Sequence, residues 1–437
     1  MARLLAVLTP AGESSYVATF VVSRFLSAGV SAIGSIASFA VAGASNVGGY
    51  AALAAIFAFS GGMAGGWLSQ AILRFGHLSQ VSTLRLLWGA AHRGRQFTIA
   101  SLALAGIMVL LRPTMDLSHQ ATTAGLVLVT SATFALLAIQ QGRAMAQHHG
   151  LRVLINEFGR AASLTTPPLV VSLAWADSDM PYVWRCLLAS LTIQLLTLAF
   201  GSLSALFHAG AEKDDVALFD SDAVVRYGVP LGLWIGLAAV YQNSDRVLLA
   251  WIASDKLAGE YSLVYDISSR GLLLPITALS GAASASVLRM FNRGDTQGAT
   301  DANRSLVKTQ LFLIIAMLPL VVFGAFIASK MLPWFGVHHI AVTSMTYLAA
   351  GVWTLADTIQ RERLGAGHTL PLVRWLAAVA AAGVLANIVV IPMFGLVGAS
   401  AVTLASSAAY AGLVVRDNHR RSLNEGLHAR GGSKSAV

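Results

Sequence analysis

Stretches of about 20 consecutive apolar residues recur along this chain, the length a helix needs to cross the hydrocarbon core of a bilayer. In lipid every backbone N–H and C=O must be satisfied without water, so only helices and closed barrels can span. Barrel strands are about ten residues long with strict alternation of apolar and polar positions, and the runs here do not alternate. Of the 437 residues 56% are hydrophobic and only 11% charged, with a mean hydropathy of +0.68. Soluble domains carry about a quarter charged residues. The fold class expected is therefore an all-α integral membrane protein.

The apolar segments fall near 15–43, 48–73, 96–112, 121–141, 153–175 and 182–207, then near 227–253, 258–288, 309–330, 339–359, 371–392 and 395–415. Twelve helices in two groups of six result. The expected organisation is an N-terminal lobe (1–207), a cytoplasmic linker (208–226), a C-terminal lobe (227–415) and a basic cytoplasmic tail (416–437). The linker "HAGAEKDDVALFDSDAVVR" is the longest strongly acidic stretch. With the N-terminus inside, 22 of the 29 Lys and Arg residues fall on the cytoplasmic side and four (Arg112, Arg185, Lys256, Lys330) outside. Such a bias sets orientation by the positive-inside rule, and it gives the +9 formal charge a role other than binding nucleic acid. A single cysteine, Cys186, excludes an internal disulfide framework. The start, "MARLLAVLTPAGESS", is too short an apolar run for a signal-peptide core.

The three remaining cations, Arg24, Arg246 and Arg270, lie inside expected helices. Around the second runs "AAVYQNSDRVLLAW" (Ala238 to Trp251), a polar patch within apolar sequence. Read as a loop it would leave flanks too short to span; read through, it makes one long seventh helix. Tyr241 and Asp245 then share a face, with Arg246 rotated by about 100°. In the eighth helix Asp266 and Arg270 are four apart, acid before base, the order that favours an ion pair. Charges at bilayer depth cost several kcal/mol and face a bundle interior or a watery cavity. Arg24, Arg270 and Arg246 are thus candidate substrate contacts, and Asp245 and Asp266 candidate coupling or structural ion-pair partners. For adjacent Asp245–Arg246 a structural lock is the favoured reading; for Arg24 and Arg270, substrate contact. Three positive and two negative groups suit an anionic ligand.

The halves echo one another. "ASNVGGYA" (Ala44 to Ala51) follows the first helix and "ASDKLAGEYS" (Ala253 to Ser262) the seventh, each a small-residue turn leading through Gly-x-Tyr into the next helix. Repeated halves of this kind are a habit of secondary transporters. "SGGMAGG" offers Gly61-x-x-x-Gly65 and Gly62-x-x-x-Gly66, close-packing faces expected to serve the monomer. No lysine follows a glycine, so no Walker A loop is present, and H-E-x-x-H, C-x-x-C and G-x-S-x-G are absent. Paired histidines at His148-His149 and His338-His339 are weak metal signals, so no metal is expected.

The frames "NSDRVLLAWIASDKLAGEYSLVYDI" and "SRFLSAGVSAIGSIASFAVAGASNVGGYAALAAI" resemble the openings of the two halves of Wzx-type polysaccharide flippases, within the multidrug/oligosaccharidyl-lipid/polysaccharide (MOP) exporter superfamily. The resemblance covers most of the chain through the order and spacing of helices, but its motifs are diffuse. It implies a V-shaped bundle of two six-helix lobes around a central cavity, in the bacterial inner membrane with both termini cytoplasmic. The implied activity is alternating-access translocation of an undecaprenyl-diphosphate-linked oligosaccharide, an O-antigen or exopolysaccharide repeat unit, with Arg24 and Arg270 as cavity arginines and Asp245-Arg246 as the acid-base step of the seventh helix. It implies no enzyme activity and no cofactor, with H+ or Na+ open as coupling ion. Membrane lipids, a polysaccharide polymerase and a chain-length regulator are the partners it brings, and nucleic acid is not among them. The alternative within the same fold is a multidrug and toxin extrusion (MATE) antiporter, which would want cavity carboxylates where this chain has arginine. A membrane polymerase or ligase would be expected to carry a large external loop, for which the sequence leaves no room, and a non-transporting scaffold is the remaining class.

Overall fold

The apolar runs fold as helices because the segment itself must satisfy its backbone polar groups. The computed structural model describes residues 14–75, 83–112, 117–147, 149–176, 178–206, 221–292, 294–332, 334–365 and 369–432. Helix α1 is Ser14–Ala42, α2 Ala44–Phe75, α3 Thr83–Leu110 and α4 Leu117–Ala146. Helix α5 runs Gly150–Thr165 and resumes as Pro167–Ala174, and α6 is Tyr182–Leu206.

Helix α7 is Ser221–Leu248 with a π-helical last turn, Leu249–Ala253, so "YQNSDR" lies within one continuous spanning element, as its flank lengths require. It starts six residues before the expected 227, inside the expected linker; Asp222 in its first turn favours that start by facing the positive end of the helix dipole. The rest of the linker, 208–220, lies outside the described residues.

Helix α8 is bent: Asp255–Asp266, a π-helical stretch Ile267–Leu272 that carries Arg270, then Leu274–Asn292. Helix α9, Thr296–Met331, absorbs residues expected in the preceding loop, because Asp295 caps its N-terminus by accepting the Gly298 N–H at 2.9 Å. Helix α10 is Val337–Ile359. The last two spans, α11 and α12, lie within Leu370–Gly432 and divide at Gly395, whose φ of 54° only glycine adopts without strain. The expected basic tail continues α12 as helix as far as Gly432.

Among the described residues seven helices are long and apolar enough to cross a membrane by composition alone, Leu370–His419 counting as one although it holds two spans. Helices α3, α5, α8 and α10 are the ones left out. Of these, α5 and α8 carry interior charges and are interrupted, α5 into pieces of 16 and 8 residues and α8 into pieces of 12, 6 and 19.

Helices α1–α6 and α7–α12 form the two lobes. The N-terminal core gathers Tyr50, Leu53, Phe57, Val127, Phe134 and Leu187; a C-terminal one gathers Ala356, Leu372, Leu376 and Tyr410. The glycine tract of α2 serves both jobs at once. Gly61 and Gly65 lie against Ser131, Phe134 and Ala135 of α4, while Gly62 and Gly66 lie against Ile235 of α7. Both faces are used within the chain, as expected. Helix α1 packs on α5, where the Ser38 hydroxyl donates to the Thr165 carbonyl at 2.7 Å.

The echoed turns meet. A Cβ on Gly48 would strike the Asp255 carbonyl, and one on Gly259 the Ala44 carbonyl, so α2 and α8 touch backbone to backbone where the two Gly-x-Tyr motifs begin. Each motif's tyrosine then ties back into its own lobe, Tyr50 donating to the Ser163 carbonyl at 2.5 Å and Tyr261 to the Asp245 carboxylate.

A charged cavity between the lobes

The lobes are joined at one end of the molecule. Beside the Gly48–Gly259 crossing, Arg112, two residues past the end of α3, donates to both carboxylate oxygens of Asp255 at 3.0 and 3.2 Å. The Phe39 and Trp334 rings meet there with centroids 4.6 Å apart. Deeper in, the Ser35 hydroxyl of α1 donates to Asp266 of α8 at 2.8 Å.

From that seal toward the opposite end the lobes enclose a cavity of about 360 Å³. Arg24 of α1 is its contribution from the N-terminal lobe; Tyr241, Gln242 and Asn243 of α7, Arg270 of α8, and Trp353 and Asp357 of α10 are among those from the C-terminal lobe. A second pocket of about 70 Å³ lies nearer the seal and is lined by Ser35, Asn243, Arg246, Asp266 and Arg270.

Arg24 and Arg270, singled out in sequence, therefore reach one cavity. Arg24 departs from expectation in one respect. It has no acid on its own helix, yet Glu157 of α5 stands 3.1 Å from its Nη2. The packing of α1 on α5 supplies this partner. Glu157 also accepts a hydrogen bond from Gln141 of α4 at 2.9 Å. Residues 143–160, counted as a cytoplasmic loop, are instead mostly helical, and they carry a further cation inward. Arg160, one turn after Glu157, lies over the Phe134 ring at 5.2 Å and within electrostatic reach of Glu157, Arg24 and Arg270. Its Nε has no acceptor, and no carboxylate within ion-pair distance of it is seen among the described residues.

Asp245 and Arg246 do not pair side chain to side chain, as neighbours 100° apart on a helix could not easily do. The Arg246 guanidinium reaches across to Asp266 at 2.8 Å and lies over the Tyr265 ring at 4.5 Å. Asp245, fully buried, accepts from the Arg246 backbone N–H at 2.8 Å, from Thr403 at 3.1 Å and from the Tyr261 hydroxyl. Tyr241 indeed shares its face, donating to the Thr403 carbonyl at 3.1 Å.

Asp266 is the hub: Arg246 and Ser35 hold it closely, and Arg270 stands 3.6 Å away with 30% of its side chain exposed. Arg246 is nearly inaccessible, whereas Arg270 faces open space. Asp357 and Arg361 repeat the acid-to-base spacing of four at the cavity's other end. Arg361 there is buried, donating to the Ser280 carbonyl at 2.9 Å and to Asp357 at 3.1 Å. Glu157, Arg160, Asp357 and Arg361 are the charged residues that sequence reasoning missed. Spacings of three and four within or at the ends of apolar segments are the signal that could have found them.

The carboxylates on or just behind the cavity walls thus each have an arginine: Glu157 with Arg24, Asp266 with Arg246, Asp357 with Arg361. The guanidiniums least engaged are Arg160 and Arg270. Groups of His, Cys, Asp and Glu able to hold a metal ion are absent among the described residues.

No family model matches the chain, and no curated protein matches it in sequence. Solved structures do match it in fold. A MATE transporter in a bent conformation superposes with a TM-score of 0.65 at 13% identity, covering 98% of this chain and 99% of that one. An outward-facing multidrug resistance MATE transporter of the MOP superfamily gives 0.63 at 13% identity, over 95% and 97%. A MOP superfamily transporter from Pyrococcus furiosus, described as having a binding pocket of reversed polarity, gives 0.61 at 14%, over 94% and 95%. Coverage of nearly all of both partners at this similarity means that the chain has the MATE fold of twelve spanning helices in two lobes.

Proposed function

We propose that this protein is a MOP-superfamily transporter whose substrate is an anionic amphiphile, and specifically a flippase for a diphosphate-linked oligosaccharide lipid. The observation that carries the reading is the charge of the cavity. Asp266 and Asp357 on the cavity walls are already engaged by arginines, while Arg270 keeps unused donors facing the cavity opposite Arg24, and Arg160 adds positive charge behind the wall. A planar guanidinium binds a diphosphate through paired hydrogen bonds better than an ammonium does. With the N-terminus cytoplasmic, the seal at Arg112–Asp255 is external and the cavity is open toward the cytoplasm, the side from which such a lipid would load. Its polyprenyl chain would stay in the bilayer.

The second reading is a MATE-type cation-coupled antiporter, favoured by the names of the structures that share the fold. It needs a carboxylate free to bind a cation or proton, and Asp245, buried and held by Tyr261 and Thr403, is its best candidate. The two readings separate in one experiment. Deletion of the gene in the source organism should abolish surface polysaccharide and accumulate lipid-linked precursor. Arg24→Lys should restore part of the export and Arg24→Glu none, at equal membrane levels. Full export by Arg24→Glu, or unchanged polysaccharide with loss of ethidium efflux, would defeat the flippase reading.

A further inference from the structure

The anion site uses only part of the cavity wall. Arg24 and Arg270 account for one side, and much of the rest belongs to α7 and α10 of the C-terminal lobe, where the wall changes character. Here Trp353 and Tyr241 both line the cavity. Their rings are nearly parallel, 21° apart in plane with centroids at 4.8 Å. The Trp353 ring also stacks with Tyr410 at 5.3 Å and with Trp234 at 6.0 Å.

Polar tips fix this cluster. Trp234 donates to the Tyr410 hydroxyl at 3.1 Å, which itself donates to Gln360 at 2.7 Å, and the Tyr241 hydroxyl is tied to the Thr403 carbonyl. Aromatic side chains satisfied at their polar ends are held in place, so the buried Tyr241 and Tyr410 set the orientation of Trp353, which stays part-exposed at the cavity wall. Neutral hydrogen-bonding groups surround it. Gln242 and Asn243 follow Tyr241 directly, Thr354 follows Trp353, and Asp357 stands one turn further along α10. The Gln242 amide, half-buried at the cavity wall, meets no protein partner among the described residues. A diphosphate has no use for such a wall, and a lipophilic cation would be better served without the amides. A pyranose ring fits both features, its C–H face lying on an aromatic ring and its hydroxyls meeting amides, a hydroxyl and a carboxylate around the edge.

We propose that Trp353, held in place by Tyr241, forms a saccharide subsite, which holds a sugar ring attached to the anionic group at Arg24 and Arg270, with Gln242, Asn243 and Asp357 taking its hydroxyls. The proposal rests on the flippase reading. The cavity is near the lower end of the roughly 300–1,000 Å³ typical of small-molecule sites. That leaves room for the diphosphate and its adjoining ring, and the remainder of an oligosaccharide would extend toward the open end. Selection among substrates would then act on that ring.

The test uses purified full-length protein in lipid nanodiscs and four probes: farnesyl diphosphate, and farnesyl diphosphate carrying glucose, galactose or N-acetylglucosamine. At least one glycosylated probe should bind the native protein more tightly than farnesyl diphosphate, by about three- to tenfold, the weight of one good aromatic contact. Trp353→Leu should erase that advantage while farnesyl diphosphate still binds, and Trp353→Phe should keep part of it. Equal binding of all four probes by the native protein overturns the subsite and leaves the anion site standing. Equal loss of every probe in Trp353→Leu, with Trp353→Phe normal, overturns it too, because the ring would then only hold the lobe together. Failure of farnesyl diphosphate itself to bind, with ethidium binding instead, removes the flippase reading and the subsite with it.

Discussion

Removing the carboxylate of Asp266 separates structural from ligand-binding charge. At an effective dielectric constant of about 20, the Arg246–Asp266 attraction across 2.8 Å is about 6 kcal/mol before desolvation is subtracted. Both side chains are more than nine-tenths buried, so little solvent can replace a lost partner. Breaking such a pair from one side typically costs about 3–5 kcal/mol, since the remaining charge is stranded. Arg270 is different: 3.6 Å away and 30% exposed, its attraction to Asp266 falls toward the aqueous limit of about 1 kcal/mol. Asp266→Ala should therefore lower stability by about 3–5 kcal/mol. Arg246→Met added to it should recover most of that loss, because an apolar pair can replace a buried ion pair at little cost. Arg270→Ala should change stability by about 1 kcal/mol or less yet abolish transport. The measurement is thermal unfolding of purified variants in one detergent, read beside export in cells. If the double variant is no more stable than Asp266→Ala, or if Arg270→Ala unfolds as readily as Asp266→Ala, the division into lock and ligand contact is wrong.

The Gly48–Gly259 crossing leaves no room for a side chain, so Gly48→Leu should prevent the seal from closing and stop transport with the protein still in the membrane. Labelling of a cysteine at Ser35 by an impermeant maleimide in whole cells should rise in that variant, and unchanged labelling would contradict the seal. With Cys186 replaced, cysteines at the exposed positions Ser45 and Lys256 should react from outside and one at Ser221 should not; reaction at 221 would reverse the proposed orientation. Arg160→Met should leave expression normal and weaken farnesyl diphosphate binding by about tenfold, the loss of one charge-assisted hydrogen bond of about 1.4 kcal/mol. Unaltered binding would assign Arg160 to packing on Phe134.

The sequence alone determined the number and order of the spans, because bilayer thickness sets a minimum length that each apolar run either meets or fails. For the same reason it determined that α7 passes through "YQNSDR" without a break. It also put Arg24 and Arg270 inside apolar segments, Arg24 about ten residues into the first helix. Glu157 and Arg160 were within its reach. Both fall inside the apolar segment that starts at 153, three residues apart, while the charge count gives the same residues to a loop. Partners belong to the tertiary structure. Arg24 meets Glu157 only because α1 packs on α5, and Arg246 meets Asp266 only because α7 turns back beside α8. Spacing along one helix can show which side chains share a face, but a buried charge takes its partner from whichever helix lies opposite. Packing brings Gly48 against Gly259 and places Trp353 beside Tyr241, 112 positions away in the chain.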